Sequence, residues 1–146
     1  MLFDTHVHLN AEQFNDDLQE VIERAQAEGI TEMVVVGFDR PTITKAIELC
    51  ETYDFIYASV GWHPVDAIDM QPEDLEWLRE LSAHPKVVAI GEMGLDYHWD
   101  KSPKEIQKEV FRQQIQLAKE VKLPIIIHNR EATADIVEIL RVEGAA

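Results

Sequence analysis

Six histidines and a run of carboxylates carry most of the chemistry this sequence can offer. His6 and His8 are separated by one residue, Val7. On a strand, residues i and i+2 project to the same side about 6–7 Å apart along the chain. Two imidazoles so placed can converge on one divalent cation at about 2.0–2.1 Å from each nitrogen. Glu92 follows the apolar run Val87-Val88-Ala89-Ile90-Gly91, and a carboxylate placed there is costly to bury unless it is paired or bound to a cation. Its two oxygens can also serve two cations, which an imidazole does not do. His128 closes Ile125-Ile126-Ile127, and His63 precedes Pro64 after Val60-Gly61-Trp62. Each residue has an ordinary reading by itself: a polar strand end, a loop cap, a core histidine with one backbone bond, a turn residue. Together they place His or Glu at the ends of four apolar runs. His, His, Glu and His suit Zn, Mn, Fe or Ni and, less well, Mg. His84 reads as a surface residue, and His98 stays undecided.

The elements that must position these side chains alternate along the chain. Strands are predicted at residues 2–7, 32–36, 55–60, 87–91 and 124–127, with near-continuous apolarity at Met33–Val36 and at residues 125–127 that suits parallel strands covered on both faces. Helical spacing recurs between them. It appears at Leu18, Val21, Ile22 and Ala25 before Gly29, and at Ile43, Ala46, Ile47 and Cys50 after Pro41. Leu75, Leu78 and Leu81 continue the pattern after Pro72, and Ile136, Val137 and Leu140 close it. Ser102-Pro103-Lys104-Glu105 predicts a capping box opening a helix through about residue 122. Five β-α units imply a parallel sheet with right-handed crossovers. A doubly wound open sheet and a (β/α)8 barrel both begin this way, and a full barrel takes about 250 residues. Convergence of the polar residues on one rim of strand ends favours the TIM-type barrel, with about five of its units in a single domain spanning residues 1–146.

Composition sets the outer bounds. The 146 residues hold 13 Lys and Arg against 28 Asp and Glu, a formal charge of −15, and 46% are hydrophobic. That apolar share supports a packed core. No apolar run nears the ~20 residues of a membrane span, and the N-terminus lacks the pattern of a secretory signal. With one cysteine, Cys50, the expectation is a cytoplasmic protein. An acidic chain is poorly suited to hold nucleic acid by counterion release. It remains compatible with a nuclease that meets phosphate through bound cations.

Four segments carry a family resemblance: Phe3-Asp4-Thr5-His6-Val7-His8-Leu9, Gly61-Trp62-His63-Pro64, Gly91-Glu92-Met93-Gly94-Leu95-Asp96-Tyr97, and Pro124-Ile125-Ile126-Ile127-His128-Asn129-Arg130. In register, they resemble the TatD-type metal-dependent deoxyribonucleases, amidohydrolase-like TIM barrels. The resemblance spans nearly all of this chain and the N-terminal part of a family domain, whose later strands supply a further histidine and an aspartate ligand. It implies that His6 and His8 bind one divalent cation, that Glu92 bridges to a second and is the costliest residue to lose, and that His128 binds the second. A hydroxide held between two cations (Zn, Mg, Mn or Ni) would attack the phosphorus of a phosphodiester, with DNA as the expected transient partner. His63 and Arg130 are expected near the phosphate, Asp4 behind an imidazole, and Asp96 and Tyr97 at the rim. Trp62, Tyr97 and Trp99 could stack on bases or cover the barrel end. Related barrels hydrolyse amides, lactones or phosphotriesters, often with a carboxylated lysine between the cations. No lysine stands at a strand end here, which favours Glu92. A further expectation is an incomplete fragment, inactive or paired with another copy across its open barrel edge.

Overall fold

In the computed structural model, residues 1–145 are described, and they form one parallel sheet flanked by helices. Strands β1 (Leu2–Val7), β2 (Ile30–Val36), β3 (Ile56–Val60), β4 (Val87–Asp96) and β5 (Ile125–Arg130) pair in chain order, each parallel to the next. Helices α1 (Leu18–Ala27), α2 (Arg40–Thr52), α3 (Pro72–Leu81), α4 (Lys104–Val121) and α5 (Thr133–Val142) alternate with them. The sheet curls into a half-barrel of the TIM type. The main core lies between its outer face and the helices. Val35, Ile56, Ala58, Val60, Ile90 and Met93 pack there with Ile22, Ile43, Leu49, Leu78, Phe111 and Ile115. The inner face is shallower and partly open. Phe3, Val34, Tyr57, Val88 and Ile126 line a depression there, and Phe3 is 52% exposed.

Two strands run further than their apolar runs suggest. β4 continues through Glu92 to Asp96 and β5 through His128 to Arg130, because these stretches pair with each other: Met93 with Ile127, Gly94 with His128, Leu95 with Asn129 and Asp96 with Arg130. Glu92 and Asp96 lie in β4 with the buried Met93 and Leu95, so pairing carries the strands past the point where the apolar run breaks. The predicted capping box at Ser102 does not form. Pro103 is the N-cap of α4 with no side-chain cap bond. Ser102 Oγ instead accepts the N–H of Ile68 at 3.0 Å and donates to Val65 O at 2.7 Å, tying the β4–α4 loop to the 3-10 turn Pro64–Asp69. Pro41 occupies the second position of α2, after the N-cap Asp39, whose carboxylate accepts the Thr42 N–H at 2.9 Å.

At the amino end of the sheet, Lys86 directs its ammonium into the C-terminal turn of α2 and the residues after it. Nζ donates to the carbonyls of Cys50 at 2.6 Å, Tyr53 at 2.7 Å and Asp54 at 3.2 Å. A cation there satisfies carbonyls that the helix leaves unpaired and complements its dipole.

Candidate metal centre

The carboxyl ends of β1, β4 and β5 bring four of the expected residues together. His6 ends up inside β1 and His8 just beyond it. Their Nε2 atoms are 3.2 Å apart, and Glu92 Oε2 lies 3.5 Å from the first and 3.7 Å from the second. Nitrogens that far apart can each make a bond of about 2.0–2.1 Å to one cation at a roughly tetrahedral angle. His8 Nδ1 donates to Val36 O at 3.2 Å, which leaves Nε2 as the lone-pair nitrogen facing Glu92. Phe38 packs edge-on against the His8 ring, with centroids 5.5 Å apart.

Glu92 turns its other oxygen to the opposite side. His128 Nδ1 lies 3.1 Å from Oε1, and His128 Nε2 lies 2.9 Å from Asp96 Oδ2. His63 packs against His128 with ring centroids 4.2 Å apart and planes tilted by 58°. Two groups of possible donors result, His6–His8–Glu92 and His63–Glu92–His128, and Glu92 belongs to both. His63 differs from the rest. Its Nδ1 accepts the Val65 N–H at 3.1 Å, so the neutral ring carries its proton on Nε2 and acts as a hydrogen-bond donor rather than a ligand. A cleft of about 380 Å³ opens over these residues, lined also by Phe38, Val65 and Asp66.

The charges are consistent with this geometry. Burial pushes the Glu92 carboxyl up, but the hydrogen bond from His128 and the nearby imidazoles of His63 and His6 outweigh it and hold the pKa below the ordinary value. Asp96 is likewise held down. Burial opposes ionisation, while His128 and the backbone N–H groups of His98 and Trp99 favour it. His128 is raised, foremost by its bond to Glu92, with Asp96 adding to it against burial. His63 is lowered by burial and then by its His128 neighbour. Three carboxylate and imidazole groups therefore hold net negative charge in a partly buried cleft, which a cation would neutralise.

The remaining expected residues take other positions. Asp4 Oδ1 accepts the backbone N–H of His6 at 3.1 Å, shaping the chain at the histidine rather than holding its ring. The Tyr97 hydroxyl bonds Asp135 Oδ2 at 2.5 Å beneath the Lys104 ammonium, at the outer wall. Arg130 lies beside Trp99, its guanidinium carbon 5.7 Å from the ring centroid. His98 sits 3.6 Å from Glu131. His84 Nε2 lies 3.2 Å from Glu51, away from the cluster.

Two supporting residues carry no motif. Gln107 and Gln114 lie on α4 two turns apart, so they share a face. Gln114 accepts the Trp62 N–H at 2.7 Å and donates to Trp62 O at 3.0 Å. Gln107 does the same to Asp96, at 2.8 and 2.9 Å, and also reaches Ser102 O. Both are essentially buried, and between them they fix the ends of β3 and β4. Their one sequence signal is a polar residue on the apolar stripe of an amphipathic helix.

Asp96 deserves a direct test as the residue that orients His128. Asp96→Asn is expected to weaken cation binding about 10–100-fold, the usual loss when a ligand's orienting carboxylate is removed. Titration calorimetry with Mn²⁺ checks it, and unchanged affinity would assign Asp96 to loop structure alone.

Fold and cluster together define a TIM-type β/α barrel protein with a histidine–carboxylate centre at the carboxyl ends of its strands. Residues 3–146 match the model of the TatD related DNase family, and the chain belongs to that family. It is 77% identical over 145 residues to the uncharacterized metal-dependent hydrolase YabD of Bacillus subtilis (strain 168), covering 99% of this chain and 57% of that protein. The 3'-5' ssDNA/RNA exonuclease TatD of Rahnella sp. (strain Y9602) is 33% identical, with 96% of this chain and 54% of that one covered. The crystal structure of YJJV, a TatD homolog from Escherichia coli K12, superposes with a TM-score of 0.91 at 30% identity, over 97% of this chain and 56% of the other. The chain thus spans a little over half the length of these relatives.

Proposed function

We propose that this chain forms the cation-binding part of a metal-dependent hydrolase that cleaves phosphodiester bonds, with DNA as substrate. The observation that carries the reading is the division of Glu92, whose Oε2 faces His6 and His8 while Oε1 faces His128. One carboxylate serving two donor groups is a site for two divalent cations. His6, His8 and Glu92 would hold the first, and Glu92 and His128 the second. The names of relatives, a metal-dependent hydrolase and a 3'-5' ssDNA/RNA exonuclease, support the reaction class and the polymer.

When bound, such a cation pair supplies acidified water as nucleophile and withdraws charge from phosphate oxygens. The chain's own residues do the rest. Glu92 fixes the spacing of the two positions. Asp96 accepts from His128 Nε2 and keeps Nδ1 turned to the cleft. His63 presents Nε2–H where charge develops on a phosphate oxygen, and Arg130 offers a guanidinium that matches phosphate in two-point contact. A cytoplasmic setting fits the lone buried thiol of Cys50, which stays reduced there.

Titration with Mn²⁺ or Zn²⁺ tests the reading. Two cations per chain and cation-dependent hydrolysis of bis(4-nitrophenyl) phosphate support it, and no more than one bound cation overturns it. The pH dependence has a definite sign. His128 is held protonated above its ordinary pKa of about 6.5, and the cation must displace that proton. Apparent affinity for the second cation is therefore expected to rise through neutral pH and to fall about tenfold per unit below it, with the His128 proton released as that cation binds. Calorimetry in buffers of different ionisation enthalpy measures that proton, and pH-independent binding would remove His128 from the ligand set.

A further inference from the structure

The three tryptophans differ in exposure. Trp62 is buried and donates Nε1–H to Asp66 O at 2.9 Å, and Trp77 lies under the Arg40 guanidinium at 4.2 Å. Trp99 is 55% exposed, on the loop joining β4 to α4. A single ring left in water has no role by exposure alone.

Its placement supplies one. Asp96 Oδ1 accepts the backbone N–H of His98 at 3.0 Å and of Trp99 at 3.4 Å, while its Oδ2 holds His128. The carboxylate that orients a ligand candidate therefore also fixes the loop presenting the indole. The Tyr97 N–H donates to Arg130 O at 3.0 Å, so Trp99 and Arg130 are carried on paired strand ends. The guanidinium lies over the ring at 5.7 Å from its centroid, a loose cation–π contact that still leaves the indole 55% exposed. The His98 ring packs edge-on to the indole at 4.8 Å and limits its swing.

We propose that Trp99 and Arg130 form a subsite for one unpaired nucleotide, the indole stacking on the base and the guanidinium taking the adjoining phosphate. This deepens the nucleic-acid reading above and rests on it. Stacking on an indole is indifferent to base identity, because every base has a π-face, and Arg suits the phosphate as a two-point donor. In a duplex the base faces are covered by their neighbours, so the subsite takes single strands or frayed ends.

Fluorescence anisotropy on the 146-residue chain, at low salt with Ca²⁺, tests it with labelled oligothymidine, an abasic strand of equal length and a duplex. Trp99→Ala is expected to weaken oligothymidine binding about tenfold or more and to leave the abasic strand unaffected, whereas Trp99→Phe retains most of the affinity. Arg130→Gln is expected to weaken both strands. Wild-type protein that binds no strand or binds duplex as tightly overturns the subsite, as does a Trp99→Ala variant that loses nothing or loses equally on the abasic strand. Hydrolysis of bis(4-nitrophenyl) phosphate by the wild type, which involves no base, reports on the reaction alone. Its failure alongside base-dependent binding sinks the hydrolase reading and leaves the subsite.

Discussion

Glu92→Gln is expected to empty both cation positions together and to lower phosphodiester hydrolysis about 10³-fold or more. The magnitude follows from losing several kcal/mol of metal-derived stabilisation at 1.36 kcal/mol per decade of rate. Glutamine preserves the shape of the side chain, but one of its two terminal atoms becomes a donor and the charge is gone. His6–His8 then has no anion to share a cation with, and His128 keeps only Asp96, which engages its other nitrogen. The substitution has a second, cation-free signature. Glu92 is the foremost cause of the raised His128 pKa, so that pKa is expected to drop toward its ordinary value. Metal analysis of the purified variant checks the first effect and imidazole NMR the second. Retention of one full equivalent of cation would show that Glu92 serves only one side.

Gly94→Ala carries the largest expected cost to the fold. Gly94 has φ +143°, a region that side chains rarely occupy, and a Cβ there would come within 2.0 Å of His128 O. The obstacle is backbone, so no rotamer change relieves it. Overpacking typically costs about 1–3 kcal/mol and an unfavourable φ about as much again, for a total of about 3 kcal/mol or more. For a chain of this size that corresponds to a fall of roughly 10 °C in melting temperature. If the variant folds, β5 must move away from β4 at His128, and cation binding should fall with stability. An unchanged melting temperature would show that the two strands are less closely apposed than described.

The β-α rhythm was legible because buried parallel strands are apolar on both faces and the helices between them keep their period. Met33–Val36 announces itself this way, and Ile125-Ile126-Ile127 carries the same apolar signal although it lies at the sheet edge with Ile127 36% exposed. The strand extensions were not legible, since Glu92, Gly94 and Asp96 interrupt the apolar Met93 and Leu95, His128–Arg130 is polar, and the two stretches pair with each other. The meeting of His6, His8, Glu92 and His128 could be anticipated from their common place at strand ends. Their division could not, because which oxygen of Glu92 faces which histidine depends on chain path. From sequence, Asp4 was the carboxylate expected behind an imidazole and Asp96 was expected at the rim. In the structure Asp96 orients an imidazole and Asp4 holds a backbone N–H. Ser102 read as a helix cap, but two partners on the neighbouring 3-10 turn compete for its hydroxyl and win.

Lys86 sits at the far end of the sheet from the cleft, with three carbonyls around its ammonium. Anchorage of the α2 terminus is thereby separated from chemistry by the full length of a strand. Neutralising that lysine, by acylation or by exchange for methionine, would loosen the floor of the half-barrel and leave the ligand-bearing rim chemically untouched. Robustness and reactivity can then drift independently in this architecture, one at each pole.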